Sequence, residues 1–338
     1  RALLIALTGG AVLIAVQSAL FAGAFRLSPA SPEVESMART YMEIRIWSAP
    51  AAIAIFGITG WLIAAERTRA VLGLQVTMNA VNIILDVVFV LRLDWGVEGV
   101  AAATLIAEWC GLGLGLWFCR DAFLRPSWRQ SARVLDRARL WRMAAVNRDI
   151  LIRSLLLEAV FVSFLFFGAG FGDVQLAANQ VLLQFLHIVS YGLDGFAFSA
   201  ETLVGNAMGR RSPERVRRSS VLTSFWGGVV AAGFALALAL FGGAGIDVMT
   251  TSEEVRQSAK EFLPWMIAAP ILGVGAYMLD GIFIGATRTA DMRNMMLISS
   301  AVYFLSVWAL VPVMGNHGLW LSLVVSLVAR TVTLGARY

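Results

Sequence analysis

The sequence predicts an all-α membrane protein in which ten transmembrane helices form two similar halves. Apolar runs close to the roughly 20 residues that cross a bilayer as a helix recur along the whole 338-residue chain. Hydrophobic residues make up 59% of the chain and charged residues 14%, against a usual charged share of about 25%. Segments of the first half also recur in the second. With a mean hydropathy of +0.75, this composition excludes a soluble globular protein and a disordered chain.

The predicted helices follow continuous apolar runs, which lack the two-residue alternation of a membrane barrel. The sixth run is too long for one upright span, which predicts tilt, overshoot or a kink near Gly192 and Gly195. The predicted helices cover residues 2–25, 42–65, 70–91, 97–119, 150–169, 175–208, 219–241, 262–285, 294–313 and 318–336.

The loop charges predict the orientation of the chain, because basic loops stay on the cytoplasmic side of a membrane. One set of alternate loops carries seventeen basic residues and the other set carries five. The net charge of +5 therefore reports topology, and we expect no nucleic-acid partner. The arginine-rich loops and both ends of this chain are predicted to be cytoplasmic, in the cell (inner) membrane.

The one long polar stretch, residues 120–149, separates a first lobe at 1–119 from a second lobe at 150–338. Val134, Leu135, Ala138 and Trp141 recur in it at helical spacing. A basic amphipathic helix lying on the cytoplasmic leaflet fits this pattern, and so does a solvated linker. Two Cys and two His are too few for a disulfide scaffold or a Cys/His zinc cluster.

An internal repeat links the two lobes, with helices two to four of the chain matching helices eight to ten. Both copies begin on the outside, so the repeat is parallel, as in transporters that bind substrate between two lobes. If the lobes are equal, two helices precede Arg1 and the whole protein has twelve. The matched pairs are WSAP at 47–50 with IAAP at 267–270, GWLIAAERT at 60–68 with GIFIGATRT at 281–289, and GVEG at 96–99 with GNHG at 315–318.

Three polar residues of the first lobe are candidates for a cation or proton site. Asn82 and Asp86 are four residues apart and lie on one face of their helix. Thr104, on the next helix, offers a hydroxyl group. A carboxylate at the bilayer centre costs about 2.5–3.5 kcal/mol, and oxygen ligands of this kind suit a hard cation or a shared proton. The alternative is a hydrogen-bonded pair that only holds the helices together.

The second lobe has four intramembrane carboxylates, Glu158, Asp194, Glu201 and Asp280. Within their own helices they have no nearby basic partner, so they must be protonated, paired across helices or in contact with water. Removal from water favours the neutral carboxyl group, which makes them candidate proton carriers. For Glu158 and Asp280 the sequence supports a proton or substrate site and a structural hydrogen-bonding role equally. For Asp194 and Glu201 the small residues of GLDGFAFSAE favour close helix packing.

The quoted segments resemble the multidrug and toxic compound extrusion (MATE) transporters, and among them the DinF-type branch. The resemblance extends over essentially the whole chain. It implies the two-lobe fold of that family with ten of its twelve helices present, beginning at the third. The strings that carry it are YGLDGFAFSAETLVGNAMG at 191–209, LDGIFIGATRTADMRN at 279–294, GNHGLWLSL at 315–323 and WLIAAERTRAVLGLQVTMNAVNIILD at 61–86.

The resemblance also implies function and site. Such proteins exchange H⁺ or Na⁺ for lipophilic, usually cationic, compounds. DinF-like relatives combine an Asp on the first helix with an Asn and an Asp on the fifth and a Thr on the sixth. Asn82, Asp86 and Thr104 fall on the last three of these positions, and the first-helix Asp would lie upstream of Arg1. Some relatives add an Asn on the fourth helix, where this chain offers only Thr59. Other branches place coupling carboxylates on the seventh and tenth helices, where Glu158 and Asp280 lie.

The sequence also allows two rival functions. A lipid-linked oligosaccharide or lipid flippase of related fold would line its cavity with cations, whereas the intramembrane charges here are acidic and Arg45 and Arg153 can snorkel to the interface. A membrane enzyme would need a nucleophile and base or a metal motif such as HExxH, which the sequence lacks. We therefore expect a monomeric antiporter in contact with membrane lipid, with the coupling ion as its only small-molecule requirement besides substrate.

Overall fold

The structure is a computed structural model that describes residues 2–27, 32–124 and 136–338. In these ranges the chain is helical and contains no strand, so the all-α prediction is confirmed. A short 3₁₀ turn, Ile46–Ser48, precedes α4, and a π-helical turn, Val87–Arg92, follows α5. The helices are α1 Ala2–Ala15, α2 Gln17–Leu27, α3 Pro32–Arg45, α4 Ala49–Ala64, α5 Thr68–Asp86, α6 Gly96–Phe118, α7 Arg120–Phe123, α8 Arg137–Ala169, α9 Asp173–Gly209, α10 Pro213–Met249, α11 Glu253–Gly285, α12 Thr289–Met314 and α13 Asn316–Gly335.

The number of membrane spans agrees with the ten predicted runs. Nine helices of the described chain are long and apolar enough to cross a membrane. The segments Ala2–Ala15 and Gln17–Gly23, bent by 63° at Val16, make a tenth if they count as one broken span. The predicted helix over 2–25 is therefore not straight. Neither Pro nor Gly lies at Val16, so the local sequence gives no sign of this bend.

The long helices extend beyond the apolar runs that predicted them. Helix α8 begins at Arg137 rather than near residue 150, so the second part of the predicted polar linker is helical. Of the amphipathic positions in that linker, Ala138 and Trp141 lie on α8, whereas Val134 and Leu135 are outside the described residues. The sixth run overshoots: α9 has 37 residues, which at about 1.5 Å per residue exceeds a hydrocarbon core of about 30 Å.

The chain divides into two units, Arg1–Leu140 and Trp141–Tyr338. In the first unit α1 packs on α4, and α6 packs on α3, α4 and α5. Its core includes Ala51, Leu62 and Leu74, which are fully buried. A Cβ at Gly10 would lie 2.5 Å from the Pro50 backbone, so α1 and α4 approach closely at this point.

The second unit is organised around the contact between α9 and α11; both helices pack on α10, and α11 also packs on α13. Two glycines of α11, four residues apart, make the contact possible. A Cβ at Gly281 would lie 2.2 Å from the carbonyl oxygen of Ala197, and one at Gly285 would lie 2.4 Å from that of Glu201. The predicted close packing of the GLDGFAFSAE segment is present, but the glycines that permit it belong to the partner helix.

The internal repeat is visible in matched helix ends. Glu66 and Thr287, 221 positions apart, both have positive φ angles, 60° and 57°. The residues that follow them, Arg67 and Arg288, each donate the backbone N–H over 2.9 Å to the carbonyl five residues earlier. This is the hydrogen-bond pattern of a Schellman helix end, formed here without glycine at the left-handed position. The two copies therefore share backbone geometry as well as sequence.

A buried amide pair stabilises the second unit between α9 and α13. The side chains of Asn179 and Asn316 exchange two hydrogen bonds, of 2.9 and 3.0 Å. Trp320 Nε1 donates a third, of 2.9 Å, to Asn179 Oδ1. All three residues are at least 95% buried, so their polar atoms depend on one another for partners.

We expect Asn179→Ala to destabilise the protein by about 1–3 kcal/mol, because it leaves Asn316 and the Trp320 indole buried without partners. Thermal unfolding of the detergent-solubilised full-length protein measures the loss. Asn79→Ala is the matched control, since the Asn79 side chain is exposed and, within the described part of the chain, bonds only the carbonyl of Gln75. An equal effect of the two substitutions would contradict a stabilising role for the amide pair.

Candidate cation site and polar cavity

The structure brings two of the three predicted residues of the first unit into contact. Asn82 Nδ2 on α5 donates a hydrogen bond of 3.3 Å to Thr104 Oγ1 on α6. The Thr104 hydroxyl in turn donates over 2.9 Å to the carbonyl of Val100. Because its nitrogen faces Thr104, the amide oxygen of Asn82 is left to accept from, or coordinate, another group.

Asp86 lies one turn after Asn82, at the point where α5 changes into the π-helical turn. π-Helical turns inside α-helices are frequent at functional sites. The Oδ1 atom of Asp86 is buried and has no hydrogen-bond partner among the described residues. The hydroxyl oxygen of Thr59, on α4, is likewise buried and unpartnered within that part of the chain. A buried carboxylate oxygen is costly without a hydrogen-bond donor or a cation beside it.

The donor atoms on α5 and α6 fit a hard cation or a proton. Asp86 supplies a carboxylate, Asn82 an amide oxygen and Thr104 a hydroxyl, all of them oxygen ligands. No group of three or more His, Cys, Asp or Glu side chains suited to a transition metal occurs in the described residues. The oxygen atoms of this region are of the kind that hard cations and protons prefer.

Sequence reasoning missed Glu108 on α6, one turn after Thr104. Arg45, at the end of α3, binds it through two nitrogens, with Nη1 3.0 Å from Oε2 and Nη2 3.1 Å from Oε1. Arg45 also donates to Ser48 Oγ over 2.8 Å. Arg45, for which the sequence allowed snorkelling, therefore compensates a carboxylate inside the unit. The Glu in the middle of the apolar run 97–119 was the available signal.

The second unit contains a cavity of about 330 Å³ that brings together three of the four predicted carboxylates, Asp194, Glu201 and Asp280. Aromatic side chains add apolar surface to the cavity. The hydroxyl oxygens of Tyr277 and Ser190 are hydrogen-bonded, 2.6 Å apart. The lining comprises Arg153, Leu157, Phe161, His187, Ser190, Asp194, Ala197, Phe198, Glu201, Tyr277, Asp280, Gly281, Ile284, Leu327 and Arg330.

Asp280 is paired across helices. Arg153 on α8 and Arg330 on α13 both donate through Nη2 to its Oδ2 atom. Asp280 is 7% exposed and Arg330 is 5% exposed. Arg153, like Arg45, therefore pairs with a carboxylate inside its own unit. Arg330 did not enter the predicted site, because it lies 50 positions from Asp280 on another helix and near the end of its own.

The other three carboxylates differ from Asp280. Asp194 and Glu201 line the cavity and form no hydrogen bond or ion pair with a described residue, although Asp194 lies close enough to Arg153 and Arg330 to attract both. Glu158 is exposed on α8 and does not line the cavity. The structure thus groups Asp194, Glu201 and Asp280 and leaves Glu158 apart. Sequence reasoning had favoured a structural role for Asp194 and Glu201, and whether they carry protons stays a prediction.

Comparison with known proteins places the chain in a family. The MatE family model matches residues 150–308. DNA damage-inducible protein F of Escherichia coli (strain K12) is 38% identical over 341 residues, which cover 99% of this chain and 73% of that protein.

Two solved structures share the fold. The Vibrio cholerae MATE transporter VcmN superposes with a TM-score of 0.88 at 17% identity, over 99% of this chain and 76% of VcmN. A MOP superfamily transporter from Pyrococcus furiosus, whose binding pocket has reverse polarity, superposes with a TM-score of 0.84 at 17% identity, over 99% and 76% of the two chains. The chain is therefore a multi-pass membrane transporter protein, not an enzyme, and it belongs to the multidrug and toxic compound extrusion (MATE) family.

Proposed function

We propose that the protein is a secondary active antiporter that exports lipophilic, usually cationic, compounds in exchange for H⁺ or Na⁺ by alternating access. The observation that carries this proposal is the oxygen site of the first unit. There the buried Oδ1 atom of Asp86 has no hydrogen-bond partner among the described residues and lies one helical turn from the amide of Asn82. Family membership supports export as the activity, and the oxygen-only ligand set supports H⁺ or Na⁺ as the coupling ion.

In this mechanism the coupling ion and the substrate compete through Asp86. An ionised Asp86 favours a cationic substrate, and its protonation or its coordination of Na⁺ removes that attraction. Loading one ligand therefore promotes release of the other, and the coupling between them is reciprocal. Asn82 and Thr104 position oxygen ligands around the ion, and their mutual hydrogen bond holds α5 and α6 in register at the site.

The experiment is gradient-driven flux in proteoliposomes that contain the full-length protein. Vesicles are loaded with a fluorescent lipophilic cation. A gradient of H⁺ or Na⁺ is then imposed so that the ion flows into the vesicles, opposite to efflux of the substrate. We expect one of the two gradients to accelerate efflux, and collapse of that gradient with an ionophore to remove the acceleration. Efflux that is independent of both gradients would contradict the proposal.

The flippase alternative gains one observation from the structure. Two arginines, Arg153 and Arg330, line the cavity of the second unit, whereas a cavity with acidic charges alone was expected. Cationic side chains of this kind suit the phosphates of a lipid-linked substrate. Lipid scrambling or flipping by the same proteoliposomes, without efflux of lipophilic cations, would favour the flippase.

We further propose that the protein lies in the cell (inner) membrane with both ends of this chain on the cytoplasmic side and acts as a monomer. The distribution of basic residues supports this orientation. Labelling of single cysteines introduced at Ser212 and Ser252, which lie in loops at opposite ends of α10, tests it in intact cells with a membrane-impermeant maleimide. We expect protection at position 212 and labelling at position 252, and the reverse pattern would contradict the orientation.

A further inference from the structure

The cavity of the second unit contains an arginine pair that the coupling scheme does not use. Arg153 and Arg330 share a single carboxylate oxygen of Asp280. Two guanidinium groups and one carboxylate carry a formal charge of +1. Arg330 and Asp280 are more than nine-tenths buried, and a buried charge without compensation is strongly unfavourable. Asp194, which lines the same cavity, can supply a further negative charge when it is ionised. When Asp194 and Glu201 are protonated, the group of three favours a negative charge from a bound ligand.

The hydrogen-bonding capacity of the pair leads to the same conclusion. A guanidinium group has five N–H donors in a planar fork. In the described chain only Nη2 of each arginine forms a hydrogen bond, and Nε of Arg153 is buried without a partner. Such forks match the two oxygens of a carboxylate or phosphate. The pair has unused donors for a second oxyanion beside Asp280.

We propose that this cavity binds the acidic group of an amphipathic organic anion, a carboxylate or a phosphate ester, on Arg153 and Arg330. The apolar part of the ligand would lie against Phe161, Phe198 and Leu327, which also line the cavity. Asp280 acts as the internal counterion that competes with the ligand for the two arginines. The inference goes beyond the proposed function, since it assigns an anion site to the second unit and is independent of the coupling site at Asp86.

Proton uptake and anion binding should support each other in this cavity. The titratable groups that face the arginine pair are Asp280 and Tyr277 on α11 and His187, Asp194 and Glu201 on α9. Each proton taken up by a carboxylate adds one positive charge to the lining, so anion affinity rises as the buffer becomes more acidic. A cationic ligand in the same cavity would show the opposite dependence.

The test is calorimetric binding to the purified full-length protein in an uncharged detergent. The probe is 2-naphthoate, and the neutral probe of similar shape is 2-naphthylmethanol. We expect 2-naphthoate to bind more tightly than the alcohol and to bind more tightly in acidic than in alkaline buffer. Arg153→Gln and Arg330→Gln should each weaken its binding by about tenfold or more, the equivalent of one charge-assisted hydrogen bond.

Asp280→Asn separates a binding role from a folding role, since it removes the competing counterion. We expect it to strengthen 2-naphthoate binding, a gain that unfolding cannot produce. Arg256→Gln is the matched control, because Arg256 is ion-paired in the same unit with Asp247 and Glu253 and does not line the cavity. It should leave binding unchanged.

The source of the anion is distinguished by repeating the titration in nanodiscs. Displacement of 2-naphthoate by phosphatidylglycerol but not by phosphatidylcholine identifies a lipid headgroup as the ligand, and undiminished binding in both lipids identifies a soluble organic anion.

Equal binding of the acid and the alcohol would overturn the proposal, and so would unchanged binding in folded arginine variants or weakened binding in Asp280→Asn. None of these variants changes Asp86, so failure of the anion-site proposal can be distinguished from failure of the antiporter proposal.

Discussion

In proteoliposomes of the full-length protein, we expect Asp86→Asn to abolish the acceleration of substrate efflux by the coupling-ion gradient and to leave only the passive leak. Asparagine has the same shape as aspartate and keeps an oxygen acceptor, so α5 and its π-helical turn remain intact. The side chain can no longer ionise, which removes both the attraction for a cationic substrate and the site where a proton or Na⁺ competes with it. The measurement is the initial rate of efflux with and without the gradient.

Asp94→Asn is the control for this prediction, because Asp94 is exposed at the end of the same helical segment. The substitution removes the same charge, and asparagine tolerates the positive φ of 54° at this position. We expect wild-type efflux from this variant. Gradient-driven efflux from Asp86→Asn at the wild-type rate would show that the coupling site lies elsewhere, with Asp194 and Glu201 in the second unit as the next residues to test.

Gly281→Val is expected to prevent the second unit from folding. A Cβ at this position would lie 2.2 Å from the carbonyl oxygen of Ala197 and 2.8 Å from its carbonyl carbon. Backbone atoms cannot rotate away as a side chain can, so α9 and α11 would have to separate. That separation would also disrupt the cavity, because Asp194, Glu201 and Asp280 lie on these two helices. Overpacked cores typically lose about 1–3 kcal/mol of stability, and we expect this variant to lose more.

Fluorescence-detected size exclusion of a tagged full-length protein measures this effect as loss of the monodisperse peak. The matched control is Gly228→Val on α10, where a Cβ would meet no atom within 4 Å. That variant should elute as the wild type does. A folded Gly281→Val protein at normal yield would contradict the close approach of α9 and α11.

Helix number and class could be predicted from the sequence, whereas helix ends could not. Apolar runs identify membrane spans because the hydrocarbon core requires about 20 apolar residues per helix. Polar residues beyond the core continue the same helix, as at Arg137 in α8 and Glu214 in α10. No hydropathy pattern marks such ends. The bend at Val16 was likewise invisible, since it occurs without Pro or Gly.

The candidate sites were predictable only where the interacting residues are close in sequence or on adjacent helices. The spacing of Asn82 and Asp86 placed both on one face of α5, and Thr104 lies on the next helix. The pairing of Arg330 with Asp280 joins α13 to α11 across 50 positions, and the pairing of Arg45 with Glu108 joins α3 to α6 across 63. A single sequence contains no signal for contacts of this range.

The most direct test of the account is the linkage between substrate and coupling ion at Asp86. Equilibrium binding of a lipophilic cation such as tetraphenylphosphonium is measured on the purified full-length protein at low and high concentrations of Na⁺ and of H⁺. We predict that one of these ions weakens binding by about 5- to 150-fold, the range typical of coupled sites, and that Asp86→Asn removes this dependence. Substrate affinity that is unaffected by either ion in the wild type would contradict the account.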